Sequence, residues 1–277
     1  MGCGHVSTVT LSSDVRARAR RGKALNAGLP GAMELVALDD VLSELPLDVG
    51  RQRDEVGRRL RARAAVLPPG PFDMRALLPR PEGWVGVLLM EGLLHGELDA
   101  GKAHVGWLLG EDDLLRPWEL DNYALTRRTS WRALSETVIA LLDADFERRA
   151  MFVPGLMTAL LARAQRTSHW LIAKSLIISS PIIEERILLL FALLGERWGK
   201  VSAAGVRLEL PLTHALIARL VGARRPTVTM TLKSLHEKRV CRRDEHGCWL
   251  LTPGDDSVVS PAWQLYREAL GCDSPGS

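Results

Sequence analysis

Between Thr213 and Arg243 the sequence gathers side chains suited to gripping a polyanion: Thr213, Arg224, Arg225, Thr227, Thr229, Met230 and Lys233, then Arg242 and Arg243. A guanidinium forks onto two acceptors at once, a lysine ammonium sits against phosphate oxygens, and hydroxyl and thioether groups meet the polar and apolar edges of bases. From Pro211 to Leu250 eight basic residues stand against Glu237, Asp244 and Glu245, a net of +5, while the rest of the chain nets −2. Positive charge concentrated in one small stretch is the electrostatic footprint of nucleic-acid binding. Covalent chemistry has no comparable support, because no Gly-rich phosphate loop, nucleophile elbow or metalloprotease motif occurs. His95, Glu97 and His104 are of metal-ligating types, yet no further ligand follows at a suitable spacing. Cys3, Cys241, Cys248 and Cys272 form no CxxC pair. They read as thiols, although Cys241 and Cys248 flank an expected hairpin and could approach each other. The chain is therefore expected to be no enzyme and to need no metal or cofactor.

The basic stretch has its own scaffold written around it. Thr213 can cap a helix whose apolar face is Ile217, Leu220 and Val221, with Ala218 small enough for a second helix to cross closely. Gly222 supplies a permissive backbone for the turn, and Pro226 is tolerated in the first turn of the next helix. Val228, Leu232 and Leu235 bury that helix's inner side, which leaves Arg225, Thr227, Thr229, Met230 and Lys233 facing outward. This is the pattern of a helix-turn-helix, whose second helix enters the DNA major groove. A structural three-helix unit without DNA is the other reading, and both the spacing and the charge asymmetry argue against it. Val240–Arg243 and Cys248–Leu251 are expected as two strands of a wing around Asp244-Glu245-His246-Gly247, carrying Arg242 and Arg243 toward phosphates.

The 277 residues allow two domains, and 47% apolar with 25% charged residues is a globular composition. The longest clean apolar run, Ile187 to Leu194, is too short for a bilayer, so a cytoplasmic protein without membrane association is expected. Residues 1–32 read as a disordered basic tail with a run from Arg16 to Lys23, and residues 34–45 and 48–65 read as helices. In the second, Val56, Leu60 and Ala64 recur every four residues. Short apolar runs at Trp84–Met90, Leu93–Leu98, Ala103–Leu109, Leu114–Trp118, Trp131–Leu134 and Thr137–Leu142 predict strands of a rolled sheet. The turn at Asp99-Ala100-Gly101-Lys102 predicts a hairpin. After Pro154 a helix of about 25 residues is expected, with Met157, Leu160, Leu161, Ala164, Ser168, Leu171, Ser175 and Ile178 on one stripe. That stripe fits a dimer seam, and packing on the chain's own β-domain is the other reading. A further helix spans Ile182 to Trp198.

With Pro211-Leu212-Thr213-His214, Ile217-Ala218, Leu220-Val221-Gly222-Ala223-Arg224-Arg225-Pro226-Thr227-Val228-Thr229 in place, the sequence resembles the C-terminal domain of the Crp/Fnr family of transcription regulators. The likeness reaches back through Glu185-Arg186-Ile187-Leu188 and Trp198-Gly199-Lys200-Val201, and through Leu109 to Trp118, covering roughly residues 65 to 252. The resemblance implies an α+β chain: an N-terminal cyclic-nucleotide-binding-like β-roll (a double-stranded β-helix), a long dimerisation helix and a C-terminal winged helix-turn-helix. The corresponding spans are a tail at 1–32, a sensor domain at 33–146, a linker at 147–180, a DNA-binding domain at 181–255 and a C-terminal tail at 256–277. It further implies a homodimer on an inverted repeat of double-stranded DNA, RNA polymerase as a further partner and a small-molecule effector. By the same resemblance the effector pocket would draw on Glu111, Arg116, Trp118, Arg127, Arg128, Thr129 and Ser130. Two departures stand out. Pro226 and Met230 replace the family's Glu and second Arg on the recognition helix, so its usual base sequence does not carry over. Arg116-Pro117-Trp118 falls where cyclic-nucleotide binders have Gly-Glu-Leu, and Pro lacks an N–H donor, which argues against cyclic AMP. Cys3 alone cannot hold the iron–sulfur cluster of the family's oxygen sensors. A small-molecule-binding regulatory protein with a secondary DNA-binding domain is the alternative.

Overall fold

A computed structural model describes residues 60–78, 83–99, 101, 104–120, 128–253 and 261–269, with the backbone of 34–37. The chain divides into two compact units, Met1–Ala100 with Leu108–Thr167, and Gly101–Trp107 with Ser168–Ser277. The boundary runs inside the long helix, not at its ends.

The first unit is built from antiparallel strands: β1 (Glu34–Ala37), β2 (Arg61–Leu67), β3 (Gly70–Phe72), β4 (Gly86–Glu91), β5 (Leu93–Asp99), β6 (His104–Gly110, of which His104–Trp107 belongs to the second unit), β7 (Leu114–Leu115), β8 (Arg128–Ala133) and β9 (Thr137–Leu142). They form one sheet ordered β1-β2-β9-β4-β7 and another ordered β3-β8-β5-β6. This is the rolled antiparallel architecture expected for this part of the chain. Gly101, with φ of 89°, lies in the β5–β6 turn as anticipated.

Two expectations need correcting. Residues 34–37 and 61–67 are strands and Leu60 is a turn residue, not parts of helices; the rest of both expected helices, like the 1–32 tail and its basic run, lies outside the described residues. A four-residue recurrence such as Val56, Leu60, Ala64 satisfies a period of two as well as one of 3.6. In β2 the shorter period wins: Ala62 and Ala64 are buried while Arg61 and Arg63 point out. The second correction is at Leu114–Trp118, where the strand stops after Leu115 and Pro117 opens a short helix, α2 (Pro117–Leu120). A smaller helix, α1 (Met74–Leu77), follows β3.

The core of this unit joins Leu60, Leu88, Met90, Val138, Ala140, Leu142 and Phe146 to Leu156 and Leu160 of the long helix. Helix α3 (Ala144–Ala150) is capped by Asp143, whose carboxylate accepts from the Phe146 N–H at 2.8 Å and from Arg63 Nε at 2.9 Å. Helix α4 (Leu156–Ser179) follows Pro154 as expected. Its first half is tied to the β6–β7 turn, where Arg163 Nε meets the Asp112 carboxylate at 3.4 Å and the Thr167 hydroxyl meets the Leu114 carbonyl at 3.3 Å.

In the second unit, Lys174 of α4 donates to the Gly106 carbonyl and Trp170 packs edge-on against Trp198, 6.0 Å away. The remaining elements are α5 (Ile183–Trp198), β10 (Gly199–Ser202), β11 (Gly205–Leu208), α6 (His214–Val221), α7 (Arg225–Glu237), β12 (Cys241–Arg243), β13 (Trp249–Leu251) and α8 (Pro261–Ala269). The sheet order is β10-β11-β13-β12. The two wing strands are therefore half of a four-stranded sheet whose other hairpin the sequence had not signalled. The segment expected as a C-terminal tail carries α8, whose buried Tyr266 donates to the Val240 carbonyl at 2.9 Å. No helix of the described residues is long and apolar enough to cross a membrane.

Gly92 sets the tight β4–β5 turn with φ of 93°, and a Cβ there would lie 2.6 Å from both the Glu136 carbonyl oxygen and Thr137 Oγ1. Gly92→Ala combines left-handed strain with overpacking and is expected to destabilise the β-roll by about 2–4 kcal/mol. Chemical denaturation checks this; a variant with unchanged stability would mean that the turn relaxes freely.

Candidate nucleic-acid interface

The recognition surface is assembled on α5, which buries Ile187, Leu188, Phe191 and Leu194. Helix α6 begins at the expected cap: the Thr213 hydroxyl oxygen accepts from the Leu216 N–H at 3.1 Å. It ends at Gly222 in the left-handed conformation, with φ of 64°. Arg186 locks the turn from outside, its Nη1 donating to the Val221 carbonyl at 3.1 Å and its Nε to the Ser180 carbonyl at 2.7 Å. A cation at the carbonyl end of α6 also suits that helix's dipole.

Helix α7 starts with Pro226 in its first turn and buries Val228, Leu232 and Leu235. Arg224, Arg225, Thr227, Thr229, Met230 and Lys233 lie on its outer side, and Met230 is 68% exposed. Arg225, Thr229 and Lys233 recur at four-residue intervals, so they share one face of the helix. Its first turn holds no acidic residue. Thr213 spends its hydroxyl on the cap, which makes it a positioning residue first.

The wing arginines separate. Arg242 is exposed and has no ion pair among the described residues, whereas Arg243 donates to the Leu212 carbonyl at 2.8 Å and lies over the Trp249 ring at 5.2 Å. Arg243 therefore holds the wing against the start of α6. Cys241 is buried, and burial pushes its thiol up to about 12; Cys248 is half-buried, and both are free. One residue of this surface escaped the sequence reading. His214, the first residue of α6, places Nδ1 3.1 Å from Thr229 Oγ1 and its ring 6.0 Å from that of Trp249. Its only sequence signal is its place directly after a helix cap.

In the first unit a cavity of about 580 Å³ is lined by Phe72, Asp73, Arg75, Trp118, Arg128, Thr129, Ser130 and Trp131 among others. Four expected effector residues thus come together: Trp118, Arg128, Thr129 and Ser130. Glu111 and Arg116 do not line it. Arg116 instead pairs with Glu119 at 3.0 Å and covers the Trp118 ring, because Pro117 starts a helix that turns its neighbours together. Arg127 lies outside the described residues. Thr129 Oγ1 is buried with no hydrogen-bond partner among the described residues. Among the described residues no group of three His, Cys, Asp or Glu side chains could hold a metal. His95 is buried while His104 is exposed.

On α4 the expected stripe splits. Met157, Leu161, Ser168 and Leu171 are exposed, but Leu160 is buried in the β-roll core, Ala164 packs half-buried against it, and Ile178 is half-buried. Leu160 and Ala164 are corrected accordingly, since the helix also needs a face for its own sheet. Ile172 and Leu176, which the stripe omitted, are 62% and 66% exposed.

Residues 185–253 match the Crp-like helix-turn-helix domain family. The fold is similar to that of a CooA mutant from Carboxydothermus hydrogenoformans, with a TM-score of 0.58 and 16% identity over 86% of this chain and 98% of that one. A cyclic nucleotide-binding domain containing protein from Listeria monocytogenes EGD-e gives 0.58 and 17% over 77% of this chain and 96% of that one. A CRP/FNR family transcriptional regulator from Thermus thermophilus gives 0.51 and 18% over 77% and 100%. No curated protein sequence matches the chain.

Thr213→Ala removes the α6 cap and is expected to cost about 1 kcal/mol in the stability of the winged domain, with Thr213→Ser restoring most of it. Urea unfolding followed by tryptophan fluorescence reads this directly, and equal loss in both variants would point to the methyl group instead of the cap.

Proposed function

We propose that this chain, which carries a Crp-like helix-turn-helix domain at residues 185–253 in a fold shared with CRP/FNR regulators, acts in the cytoplasm as a homodimer on an inverted repeat. One observation carries the reading. Helix α7 presents Arg225, Thr229 and Lys233 along one exposed edge, beside the buried Val228, Leu232 and Leu235, with no acid in its first turn. A major groove admits such a helix, and Arg225 at its start is of the type and place to fork onto a guanine edge. Arg224, Thr227, Met230 and Arg242 complete the contact surface, and Thr213 positions it. RNA polymerase is the partner that a regulator bound beside a promoter would meet.

A single winged helix reads one half-site, so a palindrome calls for two copies. The exposed row Met157, Leu161, Ser168, Ile172 and Leu176 advances by four, seven, four and four residues, close enough to the helical period to stay on one side of α4, where a second copy could pack. Leu171 flanks it. The effector cavity is the one lined by Trp118, Arg128, Thr129 and Ser130. Pro117, buried at its edge, supplies no N–H where a cyclic phosphate would need one, which supports an effector other than cyclic AMP.

Selection of bound duplexes from random DNA tests the reading: an inverted repeat with half-sites about one helical turn apart is expected, with affinity unchanged by cyclic AMP. Arg225→Ala should then lose about 1–3 kcal/mol, roughly 5- to 150-fold in Kd, and relax one base position. Uniform weakening across sequences would make Arg225 a phosphate contact, and no weakening would remove it from the interface.

Ile172→Asp places two carboxylates across the seam, where desolvation and like charge oppose association. The expected product is a folded monomer by light scattering that no longer shifts the palindrome. A variant that stays dimeric would locate the seam elsewhere.

A further inference from the structure

His214 sits where three elements of the winged domain converge. It opens α6, its Nδ1 is 3.1 Å from Oγ1 of Thr229 on α7, and its ring leans on Trp249 of β13, with the ring planes inclined by 35°. The charged groups that act on it are Arg243 from β12 and Arg225 from α7. Burial first, then those two cations, hold the imidazole below its ordinary value, so the free protein carries it neutral at neutral pH.

We propose that His214 is a DNA-contact residue that takes up one proton as the duplex docks and thereby frees the Thr229 hydroxyl to donate to the DNA. This rests on the DNA-binding reading above. A neutral imidazole has one N–H. When Nε2 carries it, Nδ1 accepts from the Thr229 hydroxyl and occupies the only donor that side chain has. Of the two cations that disfavour a charge on the ring, Arg225 is on the surface that would face phosphates, and Arg243, although it holds the Leu212 carbonyl, is exposed on the wing strand. Phosphate oxygens brought beside them offset their field and add negative charge, which favours the imidazolium. The balance is simple: a proton from solvent binds Nδ1, no bond is otherwise made or broken, and both ring nitrogens become donors. Nδ1–H then donates to Thr229 Oγ1, reversing that hydrogen bond, and Nε2–H is available to a phosphate oxygen. The released Thr229 hydrogen belongs to the face shared with Arg225 and Lys233, so the proton is coupled to the surface that reads bases.

Binding that takes up protons strengthens as pH falls, with a slope set by the number taken up. The full-length protein on its selected palindrome is measured by fluorescence anisotropy from pH 8 to pH 5.5, and by calorimetry in buffers of differing ionisation enthalpy. Expected are about one proton taken up per protomer near the middle of that range and a Kd that falls up to about tenfold per pH unit for each half-site. His214→Gln should still bind, but with the slope and the proton uptake reduced. Thr229→Val should weaken binding while leaving proton uptake in place. Wild-type binding without proton uptake, or a His214→Gln variant that keeps the full slope, would overturn the proposal. Absence of any duplex binding would instead overturn the DNA-binding reading on which it rests.

Discussion

The winged domain hangs on one carbonyl. Leu212 O, immediately before α6, accepts from Trp249 Nε1 at 2.9 Å and from Arg243 at 2.8 Å, so both its lone pairs are spent on the wing. One of those donors is charged and the other buried, which makes the arrangement costly to leave half-made. Trp249 also packs on Phe191 of α5, with ring centroids 5.4 Å apart. Strand β13, which carries Trp249, pairs with both β11 and β12. The sheet, the scaffold helix and the first turn of the helix-turn-helix are thereby referred to a single point, and the Thr213 cap and His214 follow it directly in sequence.

The other end of α6 is fixed by a different device with the same logic. Gly222 takes the left-handed backbone that closes the helix, and its N–H returns to the Ala218 carbonyl. Arg186 then supplies donors to the carbonyls of Val221 and Gly222 and, through Nε, to Ser180. One guanidinium thus joins the turn of the recognition motif to the segment that leaves the long helix. Its planar fork of donors suits three carbonyls better than a lysine's point charge would.

Elements whose period, cap and charge agree were legible in the sequence, and those that rested on one signal were not. Thr213, Gly222, Pro226 and the Val228–Leu232–Leu235 face all specify the same two helices, and the structure has them within a residue or two. Strands β10 and β11 bury only Val206 and Leu208 fully, which leaves too little alternation to read. Helix α8 does carry a helical signal, its buried Ala262 and Tyr266 lying four residues apart, but in nine residues that spacing decides little without the surface on which the helix docks. The expected stripe on α4 mixes exposed and buried positions because the helix has two apolar faces, and a linear stripe cannot say which belongs to the β-roll. Arg243 looked like Arg242 because neighbours on a strand point oppositely, and only the fold tells which one meets Trp249.

Charge follows the same division between building and binding. Lys200 pairs with Glu209, Arg207 with Asp244 at 3.2 Å, and Lys238 with Glu184 at 2.7 Å. Each of these cations is consumed within the winged domain. Arg224, Arg225, Lys233 and Arg242 have no such partner among the described residues, and they lie on α7 and the wing strand. Of the eight basic residues between Pro211 and Leu250, Lys238 is spent on an internal ion pair and Arg243 on the Leu212 carbonyl, while Arg224, Arg225, Lys233 and Arg242 stand exposed on α7 and the wing. A polyanion docking there would meet cations that need no internal ion pair broken first, so their full charge is available to displace counterions from a phosphate backbone.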